Sequence, residues 1–406
     1  MTVKKLDEVC DFIAGLWTGK KPPYVNVGVI RNTNFQKDGK LNFSDVAQLD
    51  VEVRQFSTRQ LRFGDILLEK SGGGPKQPVG RVCVFEEEGG LFSLSNFTSA
   101  IRVKEPSKLD YRYLHHFLQF LYVSGETEKI QTHSTGIRNL QLGSYREFKI
   151  PLPPLATQQK IVAKLDAIFA EIDTATAAAE ANVKNAEALF QSYLSDVFER
   201  GGEGWIKARL KDVVCEVVTG PFGSSLHKSD YVESGIPVVN PQNLINGKII
   251  PFEKTMVSQT TKERLKKYSL KVKDIVIARR GEMGRCGLVD SDTEGWLCGT
   301  GSMIIRLNDK ANENFIFQLL QSDRVRTELE RSSIGATMSN LNQSILLNIQ
   351  FMLPPIEFQM KTLESIKDFS LKSVELSESY EKKANEYLSL RQSILRQAFN
   401  GELVKE

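Results

Sequence analysis

Between Leu155 and Arg200 the chain has neither glycine nor proline. Its apolar positions there, Ile161, Leu165, Ile168, Ile172, Ala175, Ala179, Val183, Ala186, Phe190, Tyr193 and Val197, recur at steps of three and four residues. This is a heptad-like stripe with one four-residue stutter, the pattern of a long amphipathic helix. Gly201-Gly202 closes it, as a glycine does where a helix ends in a left-handed residue. A second stretch, 356–400, places Ile366, Phe369, Tyr380, Ala384, Tyr387, Ile394 and Ala398 on one face and ends at Gly401. At ~1.5 Å of rise per residue, each rod runs about 65 Å. Elsewhere the period changes. Short β-branched or apolar runs, Asp65–Leu68, Asp274–Ile277 and Ile304–Leu307, are separated by Gly, Pro, Ser and Asn turns and predict strands. Shorter helices are predicted near 110–122 and 313–331. The fold class is α+β.

The chain is also a repeat of itself. LPPLATQQ (152–159) matches LPPIEFQM (353–360), and a constant shift of 201 residues carries the match without a gap from 139–198 onto 340–399. Earlier blocks recur with insertions. Leu6 falls on Leu210, LRFGDILLEKSGG (61–73) on LKVKDIVIARRGE (270–282), Gly80-Arg81 on Gly284-Arg285, and Ile101-Arg102 on Ile305-Arg306. Pro23-Tyr24-Val25-Asn26 is paired with Pro237-Val238-Val239-Asn240 at a shift of 214. Order is kept while loop lengths vary, which is how duplicated domains with differing loops look. The expected organisation is therefore a globular domain over 1–150, a long helix over 151–201, a second globular domain over 202–350 and a second long helix over 351–406. Two copied helices of the same register are expected to share one apolar seam. Helix one runs from the first domain to the second and helix two leaves the second, so the pair is expected to be antiparallel, giving a pseudo-two-fold, cyclic molecule.

Composition narrows the class. Of 406 residues, 41% are hydrophobic and 25% charged, ordinary for a globular chain with real cores. No window approaches ~18 uncharged apolar residues, so no membrane span is expected, and the N-terminus lacks the apolar run of a signal peptide. Cys10, Cys83, Cys215, Cys286 and Cys298 form no CxxC and stand at no zinc-finger spacing. A cytoplasmic protein without disulfides or structural zinc is expected. The net charge of +3 is unevenly spread: 21 Lys+Arg against 17 Asp+Glu in 1–150, and 20 against 17 in 202–350, while both helical stretches are mildly acidic. That permits nucleic-acid binding without demanding it.

Chemistry is hard to find. Gly15-Leu-Trp-Thr-Gly19-Lys20 is one residue short of a phosphate loop, and Lys21 replaces its Ser or Thr. Asn240-Pro241-Gln242-Asn243 lacks the second proline and aromatic of an adenine methyltransferase motif. The four histidines, His115, His116, His133 and His227, make no HExxH. No active site, cofactor site or metal site is expected. Paired binders remain. Arg279-Arg280 stands at the tip after an apolar strand, where the first copy has Lys70 and, in a longer loop, Lys76. Arg and Lys suit guanine edges and Asn or Gln suits adenine, but the same side chains serve phosphates or stand as solvated tips. Similar polar loops add Ser224, Ser225, His227 and Lys228, and Ser339 opposite Arg138. Lys20, Lys21, Tyr24 and Asn240 complete the DNA-binding candidates.

L-x-x-G-D-I-L at 61–67 with its copy at 270–276, the polar loop before Asn139-Leu140 and Asn340-Leu341, and LPPLATQQKIVAKLDAIF opening a long helix all occur twice. Together they resemble the specificity subunit of Type I restriction–modification enzymes, over essentially the whole chain. Two departures stand in the second copy: Met360 replaces Gln159 and Lys273 replaces Gly64. The resemblance implies that each globular block is a target recognition domain reading one half of a split, asymmetric sequence in double-stranded DNA. It implies that the helices set the spacer and dock two methyltransferase subunits, and through them the restriction (translocase) subunits, which would carry all catalysis. The alternatives are a coiled-coil scaffold that never touches DNA and a methyltransferase with fused recognition domains; the second lacks its cofactor and catalytic motifs.

Overall fold

The computed structural model describes residues 2–17, 21–36, 39–74, 77–134, 137–222, 225–281, 284–333 and 341–400. They fall into two compact units, Met1–Ala179 with Lys382–Glu406, and Glu180–Glu381. No helix among the described residues is long and apolar enough to cross a membrane.

The first unit is built on a four-stranded antiparallel sheet in the order Cys10–Ala14, Thr98–Val103, Asp65–Glu69, Val82–Phe85. Asp65–Glu69 is buried along its whole length, which is why it reads as a continuous apolar run rather than an alternating one. A three-stranded sheet, Ala47–Glu52, Tyr24–Ile30, Phe92–Leu94, stands beside it, and Thr2–Lys5 pairs with Lys149–Leu152. The helix Tyr111–Val123 starts at Asp110, whose carboxylate accepts from the Arg112 and Tyr113 amides, and lays Leu114, Phe117, Leu118 and Leu121 on the core. The second unit repeats the plan. Its main sheet is Val214–Thr219, Ser302–Leu307, Ile275–Ala278, Cys286–Leu288, and Ile206–Arg209 pairs with Gln350–Leu353. The expected α+β class, built twice, is what the chain adopts.

The stretch 313–331 forms two helices, Glu313–Gln321 and Asp323–Ser333, not one. Ser322 takes an extended conformation between them, and its hydroxyl donates to Leu319 O and accepts from the Val325 amide. A serine able to cap the next turn breaks the helix there. The pairing of Pro23–Asn26 with Pro237–Asn240 also gives way. Ile30 pairs with Leu94 as Val239 pairs with Cys298, and Asn34 bonds the Arg31 amide as Asn243 bonds the Asn240 amide. Arg31, not Asn26, is therefore the counterpart of Asn240, at the shift of 209 that governs the GDIL block.

The long helices span Leu155–Arg200 and Ile356–Phe399, and Gly201 follows the first with φ +63°. Within the second unit, Tyr193 stacks on Phe369 at 4.3 Å and Ser373 Oγ donates to Ala186 O, so the segments run antiparallel. Within the first unit, Arg391 binds Asp173 at 2.6 Å, while Phe399, further on, packs against Tyr113 and Phe117 near the start of the first long helix's domain core. The buried stripe departs from the expected one near the end of the first helix. Leu194 and Phe198 are buried there, while Tyr193 and Val197 are only half-buried. A helix end that serves its domain core as well as a partner helix divides its apolar residues between two faces; Phe198 goes to Phe315, Tyr193 to Phe369.

Candidate nucleic-acid interface

The same two side-chain locks recur in both units, one at the central strand and one at the base of the long helix. Asp65 accepts from the Arg62 amide and takes both prongs of Arg102 at 2.7 and 2.6 Å; Asp274 accepts from the Lys271 amide and is gripped by Arg306 at 3.1–3.3 Å. Burial raises the Asp274 carboxyl, against the opposing pull of Arg306. The base of each long helix is locked by a wholly buried glutamine. Gln158 accepts from the Asp110 amide and donates to the Lys108 and Pro153 carbonyls, at 2.9 Å in each case. Gln359 does the same with Asn312, Lys310 and Pro354 at 2.7, 2.9 and 3.1 Å. So the departure at Met360 falls on an exposed position, as does Gln159, while the neighbouring glutamine that does the work is retained. Its copy at the 201-residue shift was there to be seen.

From this frame the tips project. The strand Asp65–Glu69 ends beside Thr98 and the strand Ile275–Ala278 beside Ser302. Lys70 then donates its amide to Phe97 O and accepts from the Leu140 amide; Arg279 donates to Gly301 O and accepts from the Leu341 amide. Lys70 and Arg279 thus occupy one structural position with different side chains. Lys70 is half-buried, and burial lowers its pKa. Arg279 is half-buried too; its Nε and Nη1 are sealed from water with no hydrogen-bond partner among the described residues. Burial, then the neighbouring Arg280, lowers its pKa. Two buried guanidinium donors without a matched acceptor among the described residues set Arg279 apart from the other candidates. Arg280 is exposed beside it.

The other candidates divide. Lys20, Lys76, Ser224 and Ser339 lie outside the described residues. Arg138 is held by Glu128 at 2.9 Å and only 13% of its side chain is exposed, which ties it into the fold. Asn240 bonds Tyr231 and packs against Gly299, at the root of the tip rather than on it. Ser225 offers its carbonyl to Arg264; His227 and Lys228 are exposed around a short 3-10 turn closed by Asp230. Lys21 is exposed, its amide bonded to Glu52. Tyr24 opens a strand whose far end, Ile30, lies by the loop that receives Lys70, so six residues of strand, ~20 Å, separate it from that loop. The structure therefore joins Arg279, Arg280 and the root residue Asn240 in one place, and does not bring Tyr24 to Lys70.

The same scaffold is thus built twice, with Lys70 in one copy where Arg279 stands in the other. Residues 1–184 and 202–386 each match the profile of the Type I restriction modification DNA specificity domain, and the chain belongs to that family, carrying its domain twice. It is similar to the MjaVIII specificity subunit of Methanocaldococcus jannaschii, 30% identical over 258 residues, which span 59% of this chain and 59% of that one. It is also similar to the StySPI specificity subunit of Salmonella potsdam, 25% identical over 402 residues, 93% of this chain and 82% of that one. Its fold is shared with the crystal structure of the HsdS subunit from Thermoanaerobacter tengcongensis, at TM-score 0.55 and 20% identity over 99% of this chain and 97% of that one. A chain solved in work on assembly of the type I R-M system matches at TM-score 0.67, 20% identity, 99% of this chain and 98% of that one.

Proposed function

We propose that the chain is the non-catalytic sequence reader of a Type I restriction–modification complex. Each unit reads one half of a bipartite, asymmetric duplex target. The two long helices set the spacer and dock two methyltransferase subunits, and the restriction subunits join through these. The observation that carries the reading is the equivalence of Lys70 and Arg279, which have the same backbone bonds on the same strand end but different side chains. A frame that keeps its geometry and varies only its tip changes what is read without changing how it is held. The relatives' own standing as subunits of Type I restriction enzymes supports the partner assignment.

Sequencing of methylated sites in cells carrying the complete system tests it. Grafting a relative's counterpart of 202–350 is expected to change one half-site and leave the other intact; a change in both would sink independent reading. Arg279→Ala is expected to relax one position at a cost of about 1–3 kcal/mol. A uniform loss with a shallower salt slope would instead assign Arg279 to phosphate. Seven residues added in register to both helices lengthen the rod by about 10 Å and are expected to widen the spacer by up to about three base pairs with the bases unchanged. An unchanged spacer in an active complex would remove the helices as the ruler.

A further inference from the structure

Two aromatic side chains stand out by their exposure. Trp17 is 65% and Phe222 62% exposed, more than any other aromatic among the described residues. They occupy one position in the repeated plan. Gly15 and Gly220 each sit so tightly on a backbone carbonyl, that of Ser95 and that of Gly299, that a Cβ would collide with it. In each copy the aromatic follows two residues later. Neither is a loose end: the Trp17 amide donates to Gln55 Oε1, with Leu16 buried just before it, and Phe222 O accepts from the Ser225 and Leu226 amides, with Pro221 buried before it. The backbone is anchored while the ring is left in water, twice, at a standing cost in unburied apolar surface.

The topology says what lies beside them. Cys10–Ala14 and Asp65–Glu69 both run antiparallel to Thr98–Val103, so both finish at its start: Ala14 opposite Ser99, Glu69 opposite Thr98. The loop 95–97 thus receives Gly15 on one side and the Lys70 amide on the other. In the second unit, Thr219 lies opposite Met303 and Ala278 opposite Ser302, and the loop 299–301 receives Gly220 and the Arg279 amide. In each unit an exposed aromatic and a cationic tip leave the same sheet end, flanking one short loop. Cations for phosphate or base edges beside an apolar wedge are the pairing that opens a base step.

We propose that Trp17 and Phe222 are DNA-contacting residues, one for each half-site, whose rings stack at a base step adjoining the bases read by the neighbouring tip. The proposal rests on the DNA-reading function proposed above. The test uses the full chain assembled with its modification subunits and a duplex bearing the sequence that complex methylates. Trp17→Ala and Phe222→Ala are each expected to weaken binding about 10- to 100-fold, and Trp17→Phe to restore most of it. Unfolding midpoints should stay unchanged because both rings are exposed. The salt slope should also stay unchanged, because a stacked ring releases no counterion. 2-Aminopurine placed at the step should change in brightness when the parent chain binds and not when the alanine variant of that half binds. Binding within twofold of the parent, a shallower salt slope, or a loss traced to failure to retain the modification subunits would each overturn the proposal. A parent complex with no preference for the methylated duplex would instead overturn the DNA-reading function itself, and the aromatic assignment with it.

Discussion

The two units keep the same internal locks and differ in what surrounds the tip. In the first, Glu69, 2% exposed, grips Arg81 through two bonds of 2.7 and 2.9 Å, and Arg81 also reaches the Phe35 and Asn32 carbonyls. In the second, the counterpart of Glu69 is the buried Ala278 and that of Arg81 is the exposed Arg285, although the bond from the strand's last amide to the arginine carbonyl is kept in both. The two copies share the bonds that hold backbone to backbone, and the first adds an ion pair that the second, with Ala278 at that place, does not make there. The bonds around the tip therefore differ between the units, while the glutamine lock at the helix base is common to both.

The ion pair gives the sharpest test of that contrast. Glu69→Ala is expected to cost about 3 kcal/mol, because Arg81, its side chain only 18% exposed, would lose its carboxylate partner and keep only neutral acceptors. Denaturant unfolding resolved by hydrogen exchange should place the loss in the first unit. A cost under about 1 kcal/mol would mean that the pair merely breaks even against its desolvation and that the units differ less than their geometry indicates. Next come the shared locks. Gln158→Ala and Gln359→Ala should each cost about 2–3 kcal/mol by orphaning one buried amide and two carbonyls, and the two values should agree within about 1 kcal/mol. A loss confined to one copy would show that the duplicated lock is structural in one unit and vestigial in the other.

Much of this was legible beforehand, and the reasons differ by element. The long helices were plain because an uninterrupted 3.6-residue period over more than forty positions has no competing reading. The central strands were plain because a fully buried strand is a continuous apolar run. Register between the repeats was harder. Pro23–Asn26 and Pro237–Asn240 look alike, yet the conserved feature is a bond from an asparagine three residues on, and identity of letters does not report bonding. The glutamine lock was missed for the opposite reason. The letters differ at Gln159 and Met360, next to the glutamine that is buried, and burial of a polar side chain cannot be read from a helix entrance alone. Which candidate side chains are tied into the fold depends on partners such as Glu128 for Arg138, ten residues away in sequence.

A smaller difference sits on the helix that covers each sheet. His115 in the first unit corresponds to Phe317 in the second, each five residues past the capping Asp110 or Asn312. His115 Nε2 is sealed from water with no partner among the described residues, and burial, then the neighbouring His116, pushes its pKa down to about 3. Because the folded value lies below the unfolded one, the stability it allows is complete above about pH 6.5 and falls as pH drops toward 3, since only the unfolded chain takes up the proton. At pH 5.5 the loss should be about 1.4 kcal/mol, and His115→Phe should remove it. Acid sensitivity of the same size in that variant would place the proton elsewhere.

The last test concerns the turn before the central strand. Gly64 has φ +84° and its counterpart Lys273 has φ +76°, so the second unit holds a lysine in the left-handed region that the first assigns to glycine. A Cβ there crowds the following carbonyl, at a cost of roughly 1–2 kcal/mol. The turn cannot relax, because the Lys273 amide donates to Val289 O and Asp274, next in the chain, is fixed by Arg306 and the Lys271 amide. What the lysine gains in return is a long ion pair, 3.8 Å, to Glu313, with 71% of the lysine and 19% of the glutamate side chain exposed, worth little at that distance. Lys273→Gly is therefore expected to stabilise the second unit by about 0.5–1 kcal/mol, the strain relieved less the added freedom of the unfolded chain. The reverse change, Gly64→Lys, should be worse than strain alone predicts, because a Cβ at Gly64 already meets the Tyr111 ring at 3.3 Å. If Lys273→Gly instead destabilised, the contact with Glu313 would outweigh the backbone, and the two turns would not be held by the same balance of forces.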